Sequence, residues 1–96
     1  MLRLRIGATA RADLTAIRRY SVREFGSDVA DVYFRGFGKA FDLLRAHPFA
    51  GTVRHDIGAG ALVYVYRRHR ILYRVENELI VIVRILYHAQ SSPANQ

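Results

Sequence analysis

"YRRHRILYRVENELIVIVRILYHAQ", Tyr66 to Gln90, decides the fold of this 96-residue chain. Its apolar residues alternate in two runs separated by Glu76-Asn77-Glu78, the pattern of an antiparallel strand pair closed by a turn. Five of the chain's fourteen arginines lie in the same stretch, among its most apolar neighbours. Which face they occupy depends on register, because a one-residue slip exchanges the two faces of a strand. A three-residue loop at Glu76-Asn77-Glu78 pairs Val75 with Leu79 and Arg70 with Arg84. One face then carries Ile71, Tyr73, Val75, Leu79, Val81, Val83, Ile85 and Tyr87, and a two-residue turn at Arg67-Arg68 adds Leu62, Tyr64 and Tyr66. A two-residue loop at Asn77-Glu78 would instead bury Arg84 as an unpaired charge, at high cost. The three-residue loop is therefore expected.

The opposite face then carries Arg70, Arg74, Arg84 and His88, set among Val63, Val65, Leu72, Ile80, Ile82 and Leu86. So large an apolar patch studded with arginine calls for a partner with both apolar and acidic side chains. Neutralisation from within by Glu76, Glu78 or Asp56 is the competing reading, and it sets three arginines against a few loop acids.

Upstream, "LRLRI" (Leu2–Ile6) alternates strictly, giving a strand with Leu2, Leu4 and Ile6 inward and Arg3 and Arg5 outward. Gly7 and Ala8 turn the chain. Thr9 is expected to cap a helix that Asp13 supports near its positive end, with Ala10, Leu14, Ile17 and Tyr20 as its apolar stripe. Gly26 should end this helix in a left-handed conformation, and Ser27 should cap the next. That second helix carries Ala30, Tyr33, Phe34, Phe37, Ala40, Phe41 and Leu44 at three- and four-residue spacing, and Pro48 ends it. The helices, Thr9–Phe25 and Ser27–His47, form an antiparallel hairpin. "PFAGTVRHDIGAGA" (Pro48–Ala61) reads as a glycine-rich loop, followed by strands over Leu62–Tyr66, His69–Val75 and Leu79–Tyr87. The order β-α-α-β-β-β predicts an α+β fold: an antiparallel sheet with the helical hairpin packed on one face. Residues 1–90 are expected to form one domain and 91–96, the end of "QSSPANQ", a flexible tail.

Composition narrows the function classes. Fifteen Lys plus Arg against eight Asp plus Glu give +7, and only one of the fifteen is lysine. Such a domain attracts nucleic acid or an acidic protein. Arg11, Arg18, Arg19, Arg23, Arg35 and Arg45 fall on the helices with acids nearby and are given no role. Without cysteine there is neither a disulfide framework nor a thiolate metal site. The N-terminus lacks the apolar run of a secretory signal, and "LIVIV" (Leu79–Val83) is far short of the ~20 residues of a membrane span. A soluble, cytoplasmic protein without membrane association is expected.

Chemistry-bearing residues are sparse. His47, His55, His69 and His88 are scattered without metal-ligand spacing, and the first three are read as surface or satisfied side chains. No metal and no cofactor is expected. The one constellation with chemical potential is Arg70, Arg74, Arg84, Tyr87 and His88. Metal-free RNA cleavage by 2′-OH attack needs a base, an acid and a cation at the transition-state phosphate, and these residue types supply them.

The chain resembles the ParE/RelE superfamily of bacterial type II toxins. The similarity rests on "ADLTAI" with Tyr20 ahead of "FG" (Phe25-Gly26), on "HPFAG" ending the second helix, and on "YRV" followed by "VRIL" in the last strands. These tokens are most like the ParE branch. The resemblance implies a toxin held inactive in a hetero-oligomer with a ParD-like antitoxin, whose acidic C-terminal segment wraps over it. Arg70, Arg74, Arg84, Leu72 and Ile82 are the expected antitoxin contacts. It also implies a target: DNA gyrase for ParE-like toxins, or mRNA on the ribosome for RelE- and YoeB-like ones. Arg84, Tyr87 and His88 are the expected target contacts, and Arg70, Tyr87 and His88 would be catalytic in a nuclease. The Glu usual in the loop before these strands in the nuclease branch is absent, with Asp56 nearby, as are the lysines of RelE. On the ParE side, Leu62 stands where an arginine usually follows the glycine loop. Gyrase inhibition is the favoured expectation, and RNA cleavage the alternative. A third reading is a non-toxic module that binds nucleic acid through the arginine face.

Overall fold

The alternating first strand, β1 (Arg3–Ile6), leads into two long helices, α1 (Ala8–Phe25) and α2 (Ser27–Ala46). After them come β2 (Thr52–Val53), β3 (Leu62–Tyr66), β4 (His69–Glu76) and β5 (Leu79–Tyr87). The structure, a computed structural model, describes residues 1–87. The strands form one sheet in the order β1-β5-β4-β3-β2, with the helical hairpin on one face. This is the expected α+β arrangement with two additions. A two-residue strand, β2, stands inside the glycine-rich loop, and β1 runs parallel to β5, so the sheet is mixed.

The core lies between hairpin and sheet. Ala10 from α1 and Phe37, Ala40 and Leu44 from α2 meet Leu62, Ile71, Tyr73, Ile80, Ile82 and Ile85. Apolar spacing thus predicted the inner face of α2 correctly. On α1 the stripe continues through buried Ser21, while Tyr20 points outward and meets Phe25 edge-on. The expected side-chain caps do not form. Gly7 precedes α1 and Thr9 is exposed in its first turn, while Gly26, at φ 87°, both closes α1 and opens α2. With no Cβ, glycine adopts that φ without strain.

Register is the main correction. The β4–β5 loop has two residues, with Asn77 at φ 58°, so Glu76 pairs with Leu79, Val75 with Ile80 and Tyr73 with Ile82. Ile80 and Ile82, expected outward, are therefore wholly buried in the core, and Val81 faces out. The pairing then slips at Leu72/Tyr73 through a bulge that leaves Val83 over, so that Leu72 stands opposite Arg84, Ile71 opposite Ile85, and Arg70 opposite Leu86 rather than the expected Arg84. A bulge inserts one extra residue and re-phases the strand beyond it. Arg84 consequently escapes burial in the register that appeared to forbid it.

Close approach of α2 to the sheet depends on Gly36, where a Cβ would overlap the Tyr66 hydroxyl. Tyr66 donates that hydroxyl to the Tyr33 carbonyl at 2.8 Å. Gly38, two residues on, faces open space. Gly36→Ala should therefore cost about 1–3 kcal/mol by overpacking. Gly38→Ala should gain about 0.5–1 kcal/mol, since helical glycine costs backbone entropy. Urea unfolding of the two variants side by side checks the pair.

Candidate functional site

The outward face of the sheet is built by its registers. One row crosses four strands as Thr52, Val63, Leu72 and Arg84, and the next runs Val65, Arg70 and Leu86. Towards the other end Arg74, Val81 and Arg5 stand side by side, followed by Glu76, Leu79 and Arg3. Five arginines, Arg3, Arg5, Arg70, Arg74 and Arg84, thus share one face. Strict alternation in "LRLRI" put Arg3 and Arg5 outward, but only the β1–β5 pairing sets them beside Arg74.

The apolar residues between them are less open than expected. Val63, Leu72 and Val81 are 7%, 9% and 9% exposed with no partner molecule present. Long arginine stems cover apolar surface while their charged heads stay in water. Val65 and Val83 are exposed. The Arg74 guanidinium reaches the loop at Gly58, and Arg70 Nε is buried with no hydrogen-bond partner among the described residues. Ile82, expected among the contacts, is in the core and unavailable.

Arg84 is partly satisfied from within. β1 ends opposite Ile82, so among the described residues β5 beyond that point has no strand on this edge. Asp13 of α1 fills part of the gap, accepting from the Ile85 N–H at 2.9 Å and from Arg84 Nε and Nη2 at 2.9 and 3.1 Å. Desolvation raises the Asp13 pKa, but these bonds and the Arg84 charge outweigh it and leave the carboxyl below its ordinary 3.8. The sign follows: the carboxylate's contribution is complete above about 3.8 and disappears as pH falls through the lower folded value. Asp13→Ala should cost about 1–3 kcal/mol at pH 7, chiefly by orphaning the Ile85 N–H. Its deficit against the parent chain should shrink below pH 4, a trend that pH-resolved urea unfolding reads directly.

Among the described residues, the cation, acid and base expected of a general acid–base site do not converge. Tyr87 pairs with His69, on the face opposite Arg70 and Arg84, and their rings meet edge to face at 5.9 Å. The structure therefore does not bring Arg70 and Tyr87 together, and His88 lies outside the described residues. His69 is a satisfied side chain, half-buried against α2, its Nδ1 sharing a 2.6 Å hydrogen bond with the Tyr33 hydroxyl. Burial lowers its pKa below 6.5, which favours the neutral ring. Asp56, the nearby acid, is chelated by Arg54 at 2.8 and 2.6 Å, and this bonding holds its pKa to about 2. A carboxylate so acidic is a poor base at neutral pH. What remains is a cationic, partly apolar surface suited to binding.

Residues 4–92 match the family model of the ParE toxin of the type II toxin–antitoxin system parDE. The chain is 28% identical to Toxin ParE1 of Caulobacter vibrioides over 91 residues, 95% of this chain and 94% of that protein. In structure it is similar to the chromosomal ParDE toxin–antitoxin system of P. aeruginosa, at TM-score 0.80 and 24% identity, covering 93% of this chain and 98% of that one. It is also similar to the RelBE2 toxin–antitoxin complex of Mycobacterium tuberculosis, at TM-score 0.61 and 26% identity, over 90% and 96% of the two chains.

Proposed function

The chain belongs to the ParE toxin family of type II toxin–antitoxin systems, and from that premise we propose that it inhibits DNA gyrase in the cytoplasm and is neutralised by a ParD-like antitoxin. The observation that carries the choice of target is the separation of Arg70 from Tyr87 on opposite faces of the sheet. A ribonuclease needs cation, acid and base around one phosphate. A gyrase inhibitor needs only a contact surface, with no proton transfer by the toxin. The antitoxin reading rests on the five-arginine face, which matches an acidic, partly apolar segment, with Arg70, Arg74, Arg84 and Leu72 as contacts. Arg84 and Tyr87, on the open end of β5, are the proposed target contacts, together with His88.

The test is direct. The purified chain is added to a gyrase supercoiling assay and to translating ribosomes with intact mRNA. Supercoiling should be inhibited and the mRNA should stay whole. Ribosome-dependent cuts that vanish in His88→Ala, with supercoiling unaffected, would overturn the proposal in favour of RNA cleavage.

A further inference from the structure

A groove of about 430 Å³ runs between α2 and β3, on the helix side of the sheet and away from the arginine face. Gly36 and Ala40 line it on α2, and Tyr64 and Tyr66 wall it on β3. Three cations line it: Arg35 and Lys39, one turn apart on α2, and Arg67 from the β3–β4 turn. Among the described residues none of the three has an ion-pair partner, although Asp28 lines a neighbouring groove with Arg67. The other acids of α2 and of the glycine-rich loop are engaged elsewhere. Asp31 binds Arg18, Asp42 binds Arg45 and Asp56 binds Arg54. The larger groove beside α1 also carries four arginines, but Arg18 and Arg23 are paired there.

Arg67 adds a second, independent observation. It sits at φ 53°, a left-handed conformation uncommon for any residue but Gly, Asn or Asp, in a tight turn that those residues usually fill. From there its guanidinium stands 5.8 Å from the Tyr66 ring centroid. A strained residue that aims a cation across an aromatic wall points to function. Beyond the two residues paired with β2, the outer backbone edge of β3 has no strand partner among the described residues, so no described strand closes the groove on that side.

We infer that this groove binds single-stranded nucleic acid, with Arg35, Lys39 and Arg67 on successive phosphates and a base stacked against the tyrosine wall. Unpaired cations along an aromatic surface are the common physics of sequence-tolerant single-strand binding. A duplex hides its base faces and does not fit this chemistry. The site is separate from the surface proposed for antitoxin and gyrase and does not depend on that reading.

Fluorescence anisotropy of labelled twelve-nucleotide dT and rU strands against the purified chain tests it. Binding should weaken with salt, with a log–log slope near −0.7 per neutralised phosphate. Combining Arg35→Ala, Lys39→Ala and Arg67→Ala should shallow that slope by about two. Tyr64→Leu should keep the slope and lose roughly 5- to 100-fold in affinity, the stacking part. A charge-matched control, Arg11→Ala with Arg19→Ala and Arg23→Ala, separates the groove from net charge, and urea unfolding confirms that each variant folds. Equal losses in both triple variants, or a twelve-base-pair duplex bound as tightly as the single strands, would overturn the inference.

Discussion

Phe37→Ala is expected to remove about 3–5 kcal/mol of folding stability, the usual cost of deleting a buried ring. Phe37 is 2% exposed and stands at the centre of an aromatic cluster. Its ring centroid lies 4.7 Å from that of Tyr66, 5.4 Å from those of Tyr33 and Phe34, and 5.8 Å from that of His69. These neighbours are held by bonds of their own: Tyr66 to the Tyr33 carbonyl, and Tyr33 to His69. They cannot collapse into the space the ring leaves, so the cavity cost persists. A domain of this size has about 5–15 kcal/mol in total, so the loss is between a fifth and the whole of its stability. Urea unfolding with a loss below about 1 kcal/mol would mean that α2 does not close on the sheet through Phe37.

The second large effect concerns binding. Arg70→Glu combined with Arg74→Glu should weaken a ParD-like antitoxin at least a hundredfold, or about 2.7 kcal/mol. Val63, Leu72 and Val81 of the arginine face are already shielded and only Val65 and Val83 stand open, so a partner gains less from apolar burial there than a bare patch would offer. More of the affinity then rests on charge, and with it on salt. Arg70 contributes a buried Nε without a partner among the described residues, and Arg74 an exposed guanidinium beside Gly58. Arg84 is left in place, because a glutamate there would face Asp13 and disturb the β5 edge. Calorimetric titration of parent and double variant at two salt concentrations reads the difference, with urea midpoints as the folding control. An unchanged Kd would remove this face from the antitoxin interface.

Much of this was legible along the chain. The Phe-rich spacing of α2, the alternation of β1 and the run from Leu62 to Tyr87 specify helix and strand through periods of 3.6 and 2, which are local properties of the backbone. Family tokens such as "HPFAG" and "VRIL" lie on those elements in order, and they sufficed to point to the ParE toxins. Helix caps were less readable, because Gly7 and Gly26 satisfy the turns by backbone geometry where Thr9 and Ser27 offered side chains.

The sequence by itself determined every element but the short β2, the inner stripes of β3, β4 and α2, and a basic surface in search of an acidic partner. Tertiary structure decided which residues of β5 share that surface. A two-residue β4–β5 loop does not bury Arg84 alone, because a bulge at Val83 re-phases the strand and Asp13, 71 residues away, meets Arg84 at the strand edge. The parallel placement of β1, which brings Arg5 beside Val81 and Arg74, is equally invisible along the chain. Strand order and charge pairing between distant residues are set by how the whole sheet buries its apolar face, so they have no local signature.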